Sequence, residues 1–357
     1  MNLLIYGGCH ALIIKRLIDE LGPTHRHRVD LLINFELVAS GKPFPYERLK
    51  DYDAVIYSPV QNKGDYNTIF LDQACDEAGT QAIRFPWLEW HGYAPCADKD
   101  WFWGHHGWYF PDLISMSQDF SDLSEYTEHV RASFPSVERM RSVMSSTTDR
   151  LIEQEESFDC HVRVSKYILG NYRQQRMFLT PDHPSTALYR YVMKSIEKIT
   201  LVPLIECWPS SLPELQPEER TPILPLIAAE TGLQFTDTSW RCETQPLSTM
   251  TLEGFLALHF EAGRRIGGRE GGTETVLATA TRSTWAIAIE GSSRSVGPTS
   301  IPIFTQVLLR RSPPAENGTH FTGEVLDLLS DHCASEAHHR SLQGAYRFRT
   351  SDWIFRS

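Results

Sequence analysis

Residues 3–23 read LLIYGGCHALIIKRLIDELGP, one complete passage from strand to turn to helix. Leu3 to Tyr6 is an unbroken apolar run, the pattern of a strand buried on both faces. Gly7 and Gly8 permit a sharp turn. After Ala11, apolar residues recur at Leu12, Ile13, Leu17, Ile18 and Leu21, a helical stripe that Gly22 and Pro23 stop. The alternation continues downstream. RVDLLINF (Arg28 to Phe35) reads as a second strand and YDAVIYSPV (Tyr52 to Val60) as a third. A helix from Tyr66 to Ala78, closed by Gly79, leads to a fourth strand over Gln81 to Phe85. This order predicts an α/β fold: a doubly wound, mainly parallel sheet with a flavodoxin-like core and helical additions.

The pattern changes beyond the fourth strand. Trp87 to Phe120 holds five of the nine tryptophans, at Trp87, Trp90, Trp101, Trp103 and Trp108, and reads as a long aromatic loop, a kind of segment that is often functional. Ser133 to Gly170 is mostly helical in pattern. Arg176 to Thr180 reads as a short strand, and Ser185 is placed to cap a helix running to Ile199. Proline-rich sequence around Pro209 to Pro225 precedes a helix at Leu252 to Arg265. The expected organisation is an α/β catalytic core over 1–200, a helical continuation over 201–267 and a weakly patterned extension over 268–357.

The chain has 357 residues, 41% of them hydrophobic, and a formal net charge of -11. That balance argues against nucleic acid or an anionic membrane as the main partner. No apolar run approaches the length of a membrane span, and no basic segment precedes LLIYGG as a secretory signal requires. The expectation is a cytoplasmic protein with no membrane span. Seven scattered cysteines without CxxC spacing suggest reduced thiols.

In an open parallel sheet, ligands bind beyond the carboxyl ends of the strands. Cys9 falls at that end of the first strand and at the start of a helix. The helix N-terminus favours a thiolate there and can hold an oxyanion. A small buried hydrophobe is the competing reading of the same cysteine.

Three fragments shift the balance toward chemistry: GGCHA at the first turn, RFPWLEWHGYAP (84–95) with WYFPDLI (108–114), and RMFLTPDHPSTALYRYV (176–192). Through Gly7, Cys9 and His10, then Phe85, Pro86, Gly92, Tyr93 and Pro95, then Phe178, His183, Pro184 and Ser185, the chain resembles the WcbI-type family of capsular polysaccharide biosynthesis proteins over about residues 1–200. The resemblance implies an α/β core like that of the SGNH esterases, binding of coenzyme A or acetyl-CoA, and O-acetyl transfer to a sugar or capsular polysaccharide precursor. In SGNH esterases an aspartate lies three residues before the catalytic histidine. Here Thr180 occupies that place, and Asp182 is a sequence neighbour whose side chain should point away from His183.

The candidate catalytic residues are therefore Cys9, His10 and His183. Pro184 keeps His183 extended, suiting a general base on a loop. Gly8, His91, Tyr93, Arg173 and Arg176 are candidates for binding substrate or cofactor, the arginines for phosphate. No metal is expected: His91, Cys96, His105 and His106 fit no common zinc spacing, and neither do His332, Cys333, His338 and His339. The partners expected are a small-molecule thioester and a sugar acceptor. A cysteine-dependent esterase or deacetylase, and a non-catalytic glycan-binding protein stacking sugars on tryptophan, are the alternatives.

Overall fold

The computed structural model describes residues 1–23, 27–61, 67–102, 105–242, 249–267, 286–287 and 309–310. The chain divides into two units, Met1–Glu270 with Thr350–Ser357, and Gly271–Arg349. Of the second, the described part is one antiparallel pairing, Leu309↔Ile287 and Arg310↔Ala286. The metal-spacing histidines beyond residue 330 lie outside the described residues.

The first unit is built on a four-stranded sheet. Its strands are β1 (Asn2–Gly7), β2 (Arg28–Ile33), β3 (Ala54–Tyr57) and β4 (Gln81–Arg84), in the order β2-β1-β3-β4. Every pairing is parallel, with Leu3 opposite Val29 and Ala54, and Ala54 opposite Gln81. Helix α1 (Cys9–Leu21) joins β1 to β2, α2 (Asn34–Ala39) follows β2, and α3 (Ile69–Ala78) joins β3 to β4. The second strand ends earlier than its apolar run: Asn34 and Phe35 begin α2.

Successive residues of a strand face opposite sides, and two cores result. Leu3, Ile5, Ala54, Ile56 and Ile83 pack with Ile14, Leu17 and Ile18 of α1. Leu4, Tyr6, Val55 and Tyr57 pack with Leu49, Leu71 and Cys75 on the other face. Both faces are covered, so the two central strands are apolar from Leu3 to Tyr6 and from Ala54 to Tyr57, and the winding is double. The chain turns from β1 toward β2 on one side and later enters β3 on the other. The crevice between the carboxyl ends of β1 and β3 is the switch point of such a sheet, and Cys9 follows β1 there.

The aromatic stretch is no plain loop. It forms an antiparallel hairpin of β5 (Asp98–Phe102) and β6 (His105–Tyr109), then α4 (Pro111–Ser117). Charged and aromatic residues share each strand without clean alternation, so no period of two announces them. Three helices follow: α5 (Leu123–Ser133), α6 (Val137–Ser157) and α7 (Ser165–Asn171). Next come a small antiparallel pair, β7 (Phe178–Thr180) with β8 (His183–Pro184), and α8 (Thr186–Thr200). The 201–267 region carries α9 (Pro225–Thr231) and α10 (Leu252–Gly267). Its stretch from 201 to 224 is irregular rather than helical, as its prolines dictate. Among the described residues no helix is long and apolar enough to cross a membrane.

Candidate active site

Gly7 has φ 156°, and a Cβ there would lie 3.2 Å from that of Ala11, so the turn after β1 needs glycine. Gly8 is the N-cap of α1, and no side chain caps that helix. Cys9 is its first residue and is half-buried. A helix N-terminus alone would favour the thiolate. The opposite holds here. Burial among protein atoms on most sides, helped by the negative charge of Asp182, pushes the Cys9 thiol up to about 12, while Lys99 and the backbone N–H groups of His10 and Cys9 pull the other way. Desolvation of a lone thiolate outweighs one turn of helix dipole.

His10 is 1% exposed. Its Nε2 donates to the carbonyl of Asp182 at 3.0 Å, since a carbonyl can only accept. Burial lowers its pKa, so the ring is neutral with Nδ1 bare, and that nitrogen has no hydrogen-bond partner. The Trp87 ring lies against it, 4.3 Å between centroids.

Asp182 is the hub. It sits in the turn between β7 and β8, and its Oδ1 accepts from Thr180 Oγ1 at 2.8 Å and Trp108 Nε1 at 3.0 Å. Lys99 Nζ is 3.7 Å from Oδ2. Burial opposes ionisation of this carboxyl, but Lys99, His183 and the Thr180 hydroxyl overcome it and hold it well below the usual carboxylate range. Lys99 and Trp108 are directly opposed across the β5–β6 hairpin, so one face of that hairpin delivers both groups to Asp182.

His183 is 7% exposed, and its backbone N–H donates to Thr180 Oγ1 at 3.1 Å. Its Nε2 lies 3.9 Å from Asp182 Oδ1 and its Nδ1 3.8 Å from Glu219 Oε2. Glu219 is fully buried, with Oε1 3.1 Å from Lys99 Nζ. The expectation that Asp182 points away from His183 fails because Asp182 lies in the turn that leads into β8 and not in a continuing strand. The charges acting most on the Cys9 thiol, Asp182 and Lys99, are the ones beside His183. Two turns 174 positions apart thus share one charged cluster.

Asp182, His183 and Glu219 present ligand atoms within 4.8 Å of one another. Lys99 already places a cation against both carboxylates, which makes this an ion-pair network rather than an acidic cage.

The other candidates are placed differently. His91 Nε2 is 3.2 Å from Glu89 Oε1, and its ring meets the edge of Trp108 at 5.7 Å, one side chain away from Asp182. Tyr93 faces inward: its hydroxyl donates to the Tyr172 carbonyl at 2.8 Å and accepts from Met177 N–H at 3.3 Å, pinning the chain between α7 and β7. Arg176 corrects the phosphate expectation. Its guanidinium donates to the carbonyls of Phe178, Leu179 and Thr221 and pairs with Asp237, so it is spent inside the fold. Arg173 is exposed and lies over the Tyr172 ring. Of the tryptophans, Trp90 belongs to the core, 1% exposed with Nε1 donating to Thr148 Oγ1, while Trp87 and Trp108 border the cluster. The side chains of His105 and His106 lie outside the described residues.

Lys99 and Glu219 were not distinguished by sequence, and Trp108 only as one of the five tryptophans of the aromatic stretch. Glu219 stands in PEERTP with no periodicity around it, and only proximity in space singles it out.

A family model for the polysaccharide biosynthesis enzyme WcbI matches residues 2–201, more than half of the chain. A solved structure of WcbI is similar, with 19% sequence identity and a TM-score of 0.58 over 74% of this chain and 90% of that one. It is described as a novel polysaccharide biosynthesis enzyme, in a native form without a disulfide bond between coenzyme A and one of its cysteines. At that identity the likeness establishes the fold. A comparison with curated proteins gave no match. With the sheet, the Cys9 turn and the His183 hairpin all inside the matched residues, the chain belongs to the WcbI family of polysaccharide biosynthesis enzymes.

Proposed function

We propose that this protein is a cytoplasmic, coenzyme A-dependent O-acetyltransferase acting on a sugar or polysaccharide precursor. The observation that carries the reading is the single cluster joining Cys9 and His10 at the sheet's switch point to Asp182, His183 and Lys99. The similar WcbI structure is described in terms of a disulfide between coenzyme A and one of its cysteines, absent from that native form, and this mention of coenzyme A supports the choice of acyl donor.

The residues at the reacting end suit a thioester. The helix that begins at Cys9 carries no side-chain cap and no acidic residue in its first turn, so its N-terminus favours a polarised acyl oxygen. A Cβ added at Gly8 would meet nothing nearer than Asn34 Oδ1 at 3.7 Å, so the floor beside the thiol has room. Bound acetyl-CoA would supply an acyl group activated toward a hydroxyl nucleophile. Arg176 does not hold its phosphates, being committed elsewhere.

His183 acts as the general base. A sugar hydroxyl gives its proton to the ring as its oxygen attacks the acyl carbon, and the ring returns that proton to the departing sulfur. Cys9 holds its own proton at neutral pH, its thiol lying at about 12. In that state it positions the acyl group, and it becomes a nucleophile only if His183 first takes its proton. Neutral His10, fixed through the Asp182 carbonyl, braces the turn that carries the thiol. Trp87, half-buried beside His10, is the tryptophan at the cluster on which a sugar ring can stack.

Calorimetry with coenzyme A, followed by transfer assays from acetyl-CoA to sugar acceptors, tests the reading. Binding in about the micromolar range and loss of transfer in Cys9→Ala and His183→Ala, with circular dichroism unchanged, are expected. Absence of coenzyme A binding would overturn it. Ester hydrolysis without coenzyme A would select a hydrolase instead.

A further inference from the structure

We propose that Glu219 is the positioning acid of His183, completing a Glu–His pair whose carboxylate is supplied by the irregular segment after α8. The inference rests on the general-base role given to His183 above. Three observations lead to it.

The first is which ring nitrogen each carboxylate faces. Glu219 Oε2 is 3.8 Å from Nδ1, while Asp182 Oδ1 is 3.9 Å from Nε2. In a working acid–base histidine, the acid holds Nδ1–H and Nε2 handles the substrate proton. Glu219 is on the orienting side. Asp182 is on the reacting side, the side of the charge that Cys9 feels. A separation just beyond hydrogen-bond reach is common in an unliganded site and closes when substrate binds.

The second is the engagement of Asp182. It accepts from the Thr180 hydroxyl and the Trp108 indole, and its carbonyl accepts from His10. Those bonds make it the fastening point of three elements. Glu219 divides its two oxygens between His183 and Lys99.

The third is that the segment bearing Glu219 is fixed to the histidine's own surroundings. Glu214 Oε2 accepts from Thr186 N–H at 2.8 Å, Gln216 Oε1 from the Tyr189 hydroxyl at 2.9 Å, and the Leu179 carbonyl from Thr221 N–H at 2.9 Å. Residues 214–221 are therefore held against β7 and α8, on either side of His183. Lys99, 6% exposed at its side chain, supplies the counter-charge that lets two carboxylates sit together in the interior. The acid thus comes from beyond residues 2–201, the stretch that matches the family.

The test uses the full chain with Glu219→Gln, which keeps shape and removes charge, and Glu219→Asp, which keeps charge. Steady-state acetyl transfer is measured across pH beside imidazole 15N NMR, the His183 signals being assigned by their loss in His183→Ala. Glu219→Gln should lower kcat by about 10²-fold with KM for the donor within about twofold. It should also erode the Nδ1–H tautomer, and Glu219→Asp should restore part of both. Parental kcat and tautomer in Glu219→Gln would overturn the pairing. If the parent transfers no acyl group to any acceptor, the function is wrong, and the NMR arm alone still decides the pairing: an unchanged tautomer refutes it and a lost one upholds it.

Discussion

Glu155 and Glu219 are both buried carboxylates, and the fold holds them in opposite ways. Glu155 accepts from Val164 N–H at 2.6 Å, Ser165 N–H at 2.8 Å and Ser165 Oγ at 2.6 Å. It closes the start of α7 with short, direct bonds. Glu219 meets Lys99 and His183 at 3.1 and 3.8 Å. The histidines divide the same way. His259 accepts from Phe110 N–H through Nε2 and donates from Nδ1 to the Phe255 carbonyl, and burial pushes it down to about 3. It is a neutral fastener between α10 and the start of α4. His183 stands between two carboxylates at 3.8 and 3.9 Å. Short bonds at fixed stoichiometry fasten a fold, while looser ion-pair spacing leaves a group able to exchange protons.

The contrast breaks most visibly at the histidine. His183→Ala is expected to cut acetyl transfer by roughly 10³-fold while the thermal midpoint moves by no more than a few degrees; a large fall in midpoint would make His183 a fastener like His259. Glu155→Ala should do the reverse. Orphaning two N–H groups and a hydroxyl costs about 3 kcal/mol, read as a lower urea midpoint, with kcat unchanged in the molecules that remain folded.

The thiol sharpens the electrostatic half of the contrast. With Cys9 pushed up to about 12, the reactive thiolate is scarce at neutral pH and grows as pH rises. Alkylation of Cys9, followed by peptide mass spectrometry, should accelerate about tenfold per pH unit between pH 7 and 9. A plateau near pH 7 would show that the helix N-terminus prevails over burial. Because Lys99 lowers this pKa, Lys99→Met should slow the reaction further.

The smallest effect concerns a cap. Ser185 occupies the N-cap of α8, yet its side chain makes no capping bond, and Glu214 Oε2 accepts from Thr186 N–H instead. Glu214→Ala should cost about 1 kcal/mol and Ser185→Ala under about 0.5 kcal/mol, both from denaturant midpoints. Equal costs would return the cap to Ser185.

Much of this molecule is legible in its residues because the relevant physics is local. An apolar run, two glycines and a helical stripe within residues 3–23 suffice to place Cys9 after β1 and at the start of α1. The strand–helix alternation through Arg84 settles a parallel sheet, since parallel neighbours need a crossover between them. His183 is marked by the resemblance of its segment to the WcbI-type family, and Pro184 adds a local constraint by keeping it extended. Other features depend on which surfaces meet. Arg176 looks from sequence like a phosphate ligand, but three carbonyls and Asp237 converge on it from β7 and from residues more than forty positions away. Lys99 and Trp108 reach Asp182 only because a hairpin aligns them face to face, and Glu219 reaches His183 only because an irregular segment is tied across β7 and α8. The sequence by itself determined the sheet and the place of Cys9 at its carboxyl edge, through periodicity and turn chemistry that act over a few residues, and it marked His183 as a candidate through the family resemblance. The tertiary structure alone decided the charges around them and the protonation of the thiol, because desolvation and Coulomb interaction depend on distance in space and not on distance along the chain.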